Sequence, residues 1–137
     1  MIGLDTNVLV RFLMQDDAQQ AKLAETLMAN LTESEPGYIC REVMIELVWV
    51  LERAYDLRRE TVTIALNSLL ETCELRIDAA DFVAIASDRY SKGGPGFADQ
   101  MIALTGLAAG CAATVTFDRK ASALPGMQLL GVMGSDA

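Results

Sequence analysis

Apolar runs of three to five residues, too short for helices, alternate along this chain with longer stretches whose apolar residues recur at helical spacing. Ile2 to Leu4, Tyr38 to Cys40, Leu75 to Ile77, Ala113 to Phe117 and Met127 to Leu130 are the short runs, and they read as strands. Between them, Val8, Leu9, Phe12 and Leu13 predict a first helix. Ala24, Leu27, Met28 and Leu31 predict a second, opened by Asp16 and Asp17 and closed at Glu35-Pro36-Gly37. Arg41 to about Tyr55 carries a stripe of Val43, Leu47, Val50 and Ala54, and a helix from Glu60 carries Val62, Ala65, Leu66 and Leu69. Ala79 to Tyr90 and Phe97 to Ala109 complete the set, the last apolar nearly all round and therefore expected to be buried. Strands separated by helices have the long crossover that a parallel pairing requires. The pattern predicts an α/β fold with a mainly parallel sheet and helices on both faces. At 137 residues, with no linker or repeat, a single domain spanning 1–137 is expected. In such sheets ligands bind beyond the carboxyl ends of the strands. Asp5 and Asp118 stand at two of those ends.

Composition then removes most chemistry. The chain has no histidine, which excludes Ser-His-Asp triads, Cys-His pairs, paired-His ribonuclease chemistry and His-containing zinc sites. Cys40, Cys73 and Cys111 are odd in number and far apart, a pattern expected of a reduced compartment. Net charge is −8, so any contact with nucleic acid has to be local rather than a whole-surface attraction. Met1 to Asp5 has no basic leader, and Gly110 splits the uncharged stretch from Gln100 to Phe117 into a helix-like and a strand-like part. No membrane span and a cytoplasmic location are the expectations.

Four acids interrupt segments that otherwise read as core. Glu46 is the lone charge from Met44 to Leu51, and Asp5 the lone charge in the first ten residues. Asp99 is the lone charge between Phe97 and Phe117, and Asp118 follows directly. Each has a structural reading of its own: Asp5 as a helix cap, Asp99 as a first-turn acid, Asp118 as a turn cap, Glu46 as a snorkelling or arginine-paired acid. Together they have another, because two fall at strand ends and two on helices expected to flank the same sheet. Like charges about 4 Å apart repel by roughly 4 kcal/mol at an effective dielectric of ~20, so gathered acids require protons or a cation. Hard oxygen ligands without His or suitable Cys favour Mg²⁺ or Mn²⁺. A cation so held activates water and neutralises a phosphodiester during in-line displacement, which points to phosphoryl chemistry.

Other features weigh less. Ser91 to Gly96 lacks the Gly-Lys-Ser/Thr ending of a phosphate-binding loop and reads as a flexible rim. Arg11, Arg119 and Lys120 stand near the acids in sequence and are candidates to bind a polyanionic substrate, or else ordinary surface charges. Trp49 and the seven methionines read as packing residues, and Glu42 as an exposed first-turn acid.

Asp5-Thr6-Asn7 after a strand, Glu46-Leu47 with Trp49 on the third helix, Phe97-Ala98-Asp99 opening a late helix, and Thr116-Phe117-Asp118-Arg119 after a strand resemble, together and in order, the PIN-domain ribonucleases. The nearest likeness is to the VapC-type toxins of bacterial toxin–antitoxin pairs. The resemblance implies a five-stranded parallel sheet and Mg²⁺- or Mn²⁺-dependent endonucleolytic cleavage of RNA. It matches Asp5, Glu46, Asp99 and Asp118 to the family's acidic metal-binding residues, and Asn7 and Thr116 to its supporting polar positions. It further implies a homodimer and a cognate antitoxin. Many relatives have another acid three residues before the Asp99 position, where this chain has Gly96, which bears on a second metal ion. The rival expectations are a PIN-like RNA-processing nuclease that is not a toxin, a phosphatase or phosphotransferase using Asp5 as nucleophile, a phospho-accepting receiver domain, and a catalytically silent acidic metal-binding module.

Overall fold

A computed structural model describes residues 1–131; residues 132–137 of the expected domain lie outside the described residues. The chain runs β1 (Ile2–Gly3), α1 (Thr6–Met14), α2 (Ala18–Ala29), β2 (Gly37–Ile39), α3 (Arg41–Arg53), α4 (Arg59–Leu70), β3 (Leu75–Ile77), α5 (Ala80–Ser91), α6 (Phe97–Ala108), β4 (Thr114–Thr116), a 3-10 turn (Ala121–Ala123) and β5 (Met127–Leu129). The expected alternation is present, and every strand pair is parallel.

The single five-stranded sheet is not. Among the described residues β1, β2 and β3 form one three-stranded sheet in that order, and β4 pairs with β5 in a second. The length of β1 supplies the reason. It has two residues, and the backbone donors on either side of Gly3 go to the β2 side, Ile2 N to Pro36 O at 3.0 Å and Leu4 N to Tyr38 O at 2.8 Å. From Thr6 the chain turns into α1, leaving little strand for β4 to pair with.

Strands this short cannot hold a sheet by hydrogen bonds alone, so helix burial must do it. The core joins Leu9 and Val10 of α1, Met44, Leu47, Val48 and Leu51 of α3, Val62, Leu66 and Leu69 of α4, Val83, Ala86 and Tyr90 of α5, and Phe97 and Met101 of α6. The buried stripe of α3 differs from the expected one. Val43 and Val50 are half-buried and Ala54 is exposed. Residues 43 to 51 are apolar on nearly every side, so two overlapping stripes sharing Leu47 fit helical spacing, and packing against α1, α4 and α6 selects Met44-Leu47-Val48-Leu51. Trp49 is consequently 57% exposed, with the Arg53 guanidinium 5.6 Å from its ring centre, rather than a packing residue. The helix α6, expected to be buried all round, leaves Ile102 and Leu107 exposed. No helix among the described residues is long and apolar enough to cross a membrane.

The loop before α6 is also not the free rim expected. Arg59 donates to Tyr90 O at 3.0 Å, Gly94 O at 2.9 Å and Pro95 O at 3.5 Å, and its guanidinium lies 4.7 Å from the Tyr90 ring centre. Tyr90 is fully buried, donates its hydroxyl to Glu52 and meets Phe97 edge-on at 6.1 Å. Three helices are thereby tied to the start of α6.

Glycine is required where α6 passes β4. A Cβ on Gly106 would stand 2.2 Å from Thr114 Oγ1. Ala normally stabilises a helix interior over Gly by about 1 kcal/mol. Gly106→Ala is expected to destabilise instead, by about 1–3 kcal/mol, because a β-branched neighbour has little room to yield. In the Thr114→Ala background the same substitution should recover the helix gain. Thermal melts of the four proteins check it; a stabilised single mutant would refute the close approach.

Candidate active site

A cavity of about 440 Å³ opens where β1 runs into α1 and α3 crosses it, lined among others by Asp5, Thr6, Asn7, Arg11, Glu46 and Tyr55. Asp5 caps α1, its Oδ1 accepting from Thr6 N at 2.7 Å. Thr6 itself is buried, and its hydroxyl donates to Glu46 Oε1 on α3. Thr6 alone thus holds two carboxylates on one cavity, Asp5 through its backbone N–H and Glu46, 40 positions away in sequence, through its hydroxyl. In both acids the second oxygen, Asp5 Oδ2 and Glu46 Oε2, has no hydrogen bond among the described residues.

The other two acids are carried by other elements. Asp99 is in the first turn of α6, where the helix dipole favours a negative charge, and does not line the cavity. Asp118 follows β4 and caps the turn that leads into the 3-10 residues, its Oδ1 accepting from Lys120 N at 2.8 Å and Ala121 N at 3.1 Å. Thr116 Oγ1 accepts from Asp118 N at 3.0 Å, a local bond to the backbone of the acid two residues on. Among the described residues no group of three or more Asp, Glu, Cys or His side chains is placed to hold one metal ion. Of the four acids Asp5 and Glu46 line this cavity, and Glu46 also lines a second one with Gly96, Phe97 and Ala98 at the start of α6, the helix that carries Asp99.

Asn7 and Arg11 line the cavity, whereas Arg119 and Lys120 are exposed beside Asp118. Thr6 and Tyr55 are cavity residues that reading the sequence missed. Thr6 had a signal, its place between an acid and Asn7 at a helix start. Tyr55 had none, because it follows α3 and reaches the cavity only through the crossing of α3 with α1. Its hydroxyl donates to Asp16 Oδ2 at 2.6 Å, and that bond, followed by burial, pushes the phenol upward while the same bond holds the Asp16 carboxyl below its ordinary value. Of the Asp16-Asp17 helix start, only Asp17 serves as a cap, accepting from Gln20 N at 2.9 Å.

The sequence profile of the PIN domain family matches residues 2–126, a span that contains all four acids. The chain is also similar to a VapC ribonuclease of Aquifex aeolicus (strain VF5). The two are 26% identical over 117 residues, covering 85% of this chain and 87% of that protein.

The cap bonds of Asp118 use one carboxylate oxygen, which an amide retains. Asp118→Asn is expected to leave the melting temperature nearly unchanged, and Asp118→Ala to cost about 1 kcal/mol by freeing both backbone donors. Equal losses in the two melts would contradict the cap geometry.

Proposed function

Because the chain belongs to the PIN-domain family, we propose that it is a Mg²⁺- or Mn²⁺-dependent endoribonuclease, the toxin of a toxin–antitoxin pair. The observation that carries this reading is the pair of acids on one cavity, Asp5 and Glu46, each with one oxygen tied down and one open. Mg²⁺ takes hard oxygen ligands, keeps several waters, and is commonly held by one or two carboxylates together with substrate phosphates. The pair fits that demand. A cation bound there would supply charge neutralisation and a more acidic water for attack on a phosphodiester.

The chain's own residues do the rest. Asp5 presents an open oxygen from the N-cap of α1, and Glu46 one from within α3. Thr6 keeps Glu46 from rotating away, as an outer hydrogen bond orients a ligand. Asp99 and Asp118, with Asn7 and Thr116 in support, belong to the reading by the likeness of their motifs to the family. Arg11, Arg119 and Lys120 supply the local positive charge an acidic chain needs for RNA, whose affinity is dominated by phosphate contacts. The partners that go with this reading are a second copy of the chain and an antitoxin. The antitoxin would place an Arg or Lys among the acids and compete with metal. A catalytically silent metal-binding module is the second reading, favoured by the lack of a three-acid group among the described residues.

Total RNA incubated with the protein in Mg²⁺ or Mn²⁺ and in chelator separates the two. Cleavage is expected with metal alone, leaving 5′-phosphates, and is expected to be lost in Asp5→Asn, Glu46→Gln and Asp99→Asn. Metal should also raise the wild-type melting temperature more than that of Glu46→Gln, since binding to the native state alone stabilises it by mass action. No cleavage together with a metal-dependent melt would leave the silent module standing. Replacing Arg11, Arg119 and Lys120 together by Ala should weaken RNA binding and flatten its salt dependence; an unchanged slope removes them from the substrate path.

A further inference from the structure

Arg11 shares the cavity with Asp5 and Glu46, yet its ion pair is with neither. Its Nε donates to Gln20 Oε1 at 2.7 Å, and its Nη1 to Tyr55 Oη at 3.2 Å and Asp16 Oδ1 at 3.3 Å. A guanidinium has five N–H donors, and Nη2, with two of them, has no hydrogen bond among the described residues. The Tyr55 hydroxyl, which accepts from Arg11, donates to Asp16 Oδ2 at 2.6 Å. Arg11, Asp16 and Tyr55 thereby close a ring built from α1, the α1–α2 connection and the residue after the Ala54 cap of α3.

A surface ion pair alone fixes little, because two flexible side chains lose entropy to hold one geometry. This one includes a phenol with two rotatable side-chain bonds, whose hydroxyl meets both partners at once. The placement has a consequence for the neighbouring acids. A mobile arginine in a cavity with two carboxylates would fold onto them and cancel the charge that attracts a divalent cation. Tied to Asp16 and Tyr55, it does not.

Resting on the ribonuclease reading, we infer that Asp16 and Tyr55 are positioning residues. They hold Arg11 away from Asp5 and Glu46 and keep its Nη2 edge for a phosphodiester oxygen of a bound RNA strand. The cavity then receives cation and strand side by side. Arg11 binds substrate, and the other two act through it.

The test is a double-mutant cycle of Arg11→Ala and Tyr55→Phe, with Asp16→Asn as a second route to the same release. A fluorescein-labelled single-stranded RNA is titrated in Ca²⁺ across a range of salt, and KM, kcat and half-saturating Mg²⁺ are measured for cleavage. Arg11→Ala should raise KM about tenfold and reduce the salt slope of binding by about 0.7, one phosphate contact on a single strand. Tyr55→Phe and Asp16→Asn should raise both KM and half-saturating Mg²⁺ several-fold with little change in kcat. In the Arg11→Ala background Tyr55→Phe should add nothing, since its effect passes through the arginine. An equal effect of Tyr55→Phe in both backgrounds, or an unchanged salt slope in Arg11→Ala, overturns the inference. If the wild type binds RNA without cutting it, the ribonuclease reading fails and the binding titrations still decide the roles of Arg11, Asp16 and Tyr55. If it binds no RNA, both fall.

Discussion

Met44, Leu47, Val48 and Leu51 bury one side of α3 against α1, α4 and α6, and the short strands depend on that burial. Fully burying one such side chain contributes about 1.5–3 kcal/mol, whereas ladders of two or three residues contribute few net hydrogen bonds. The same packing sets where Glu46 goes. With the Met44-Leu47-Val48-Leu51 face turned inward, Glu46 falls on the flank beside the start of α1, within reach of the Thr6 hydroxyl. The cavity is thus a by-product of core packing, and Thr6 fixes one oxygen of each of its acids.

Structural and chemical uses of an acid turn out not to compete here. Asp5, Glu46 and Asp118 each engage one oxygen, with a backbone N–H or a hydroxyl, and leave the other without a partner among the described residues. A carboxylate has about four acceptor positions, so a cap bond orients it without exhausting it. Reading Asp5 as a helix cap and reading it as a metal ligand are therefore descriptions of two different oxygens. Asp99 has a further anchor at one remove: Arg59 ties the loop that leads into α6 to the end of α5.

Much of this was legible in advance. The alternation of short runs and helical stripes predicted the order of elements, with boundaries displaced by a residue or two, as at Ala79, which adopts a left-handed conformation before α5 instead of opening it. The acids of the cavity stood out because Asp5 and Glu46 each interrupt apolar sequence. The burial face of α3 was not legible, since a helix apolar on most sides admits more than one stripe. The Arg59 tether was equally hidden, being made to backbone carbonyls that any residue types would offer.

Sequence alone determined the class of fold, the parallel sense of its strands and the kind of chemistry open to a chain with no histidine, because periodicity and side-chain inventory are local properties. Tertiary structure alone decided that β1 pairs with β2 and not with β4 among the described residues, that the Thr6 hydroxyl joins Glu46 to the start of α1, and that Tyr55 and Asp16 hydrogen-bond Arg11 beside them. Those outcomes depend on which surfaces meet when α3 crosses α1. The crossing is set by the summed burial of the whole core, which no single segment encodes.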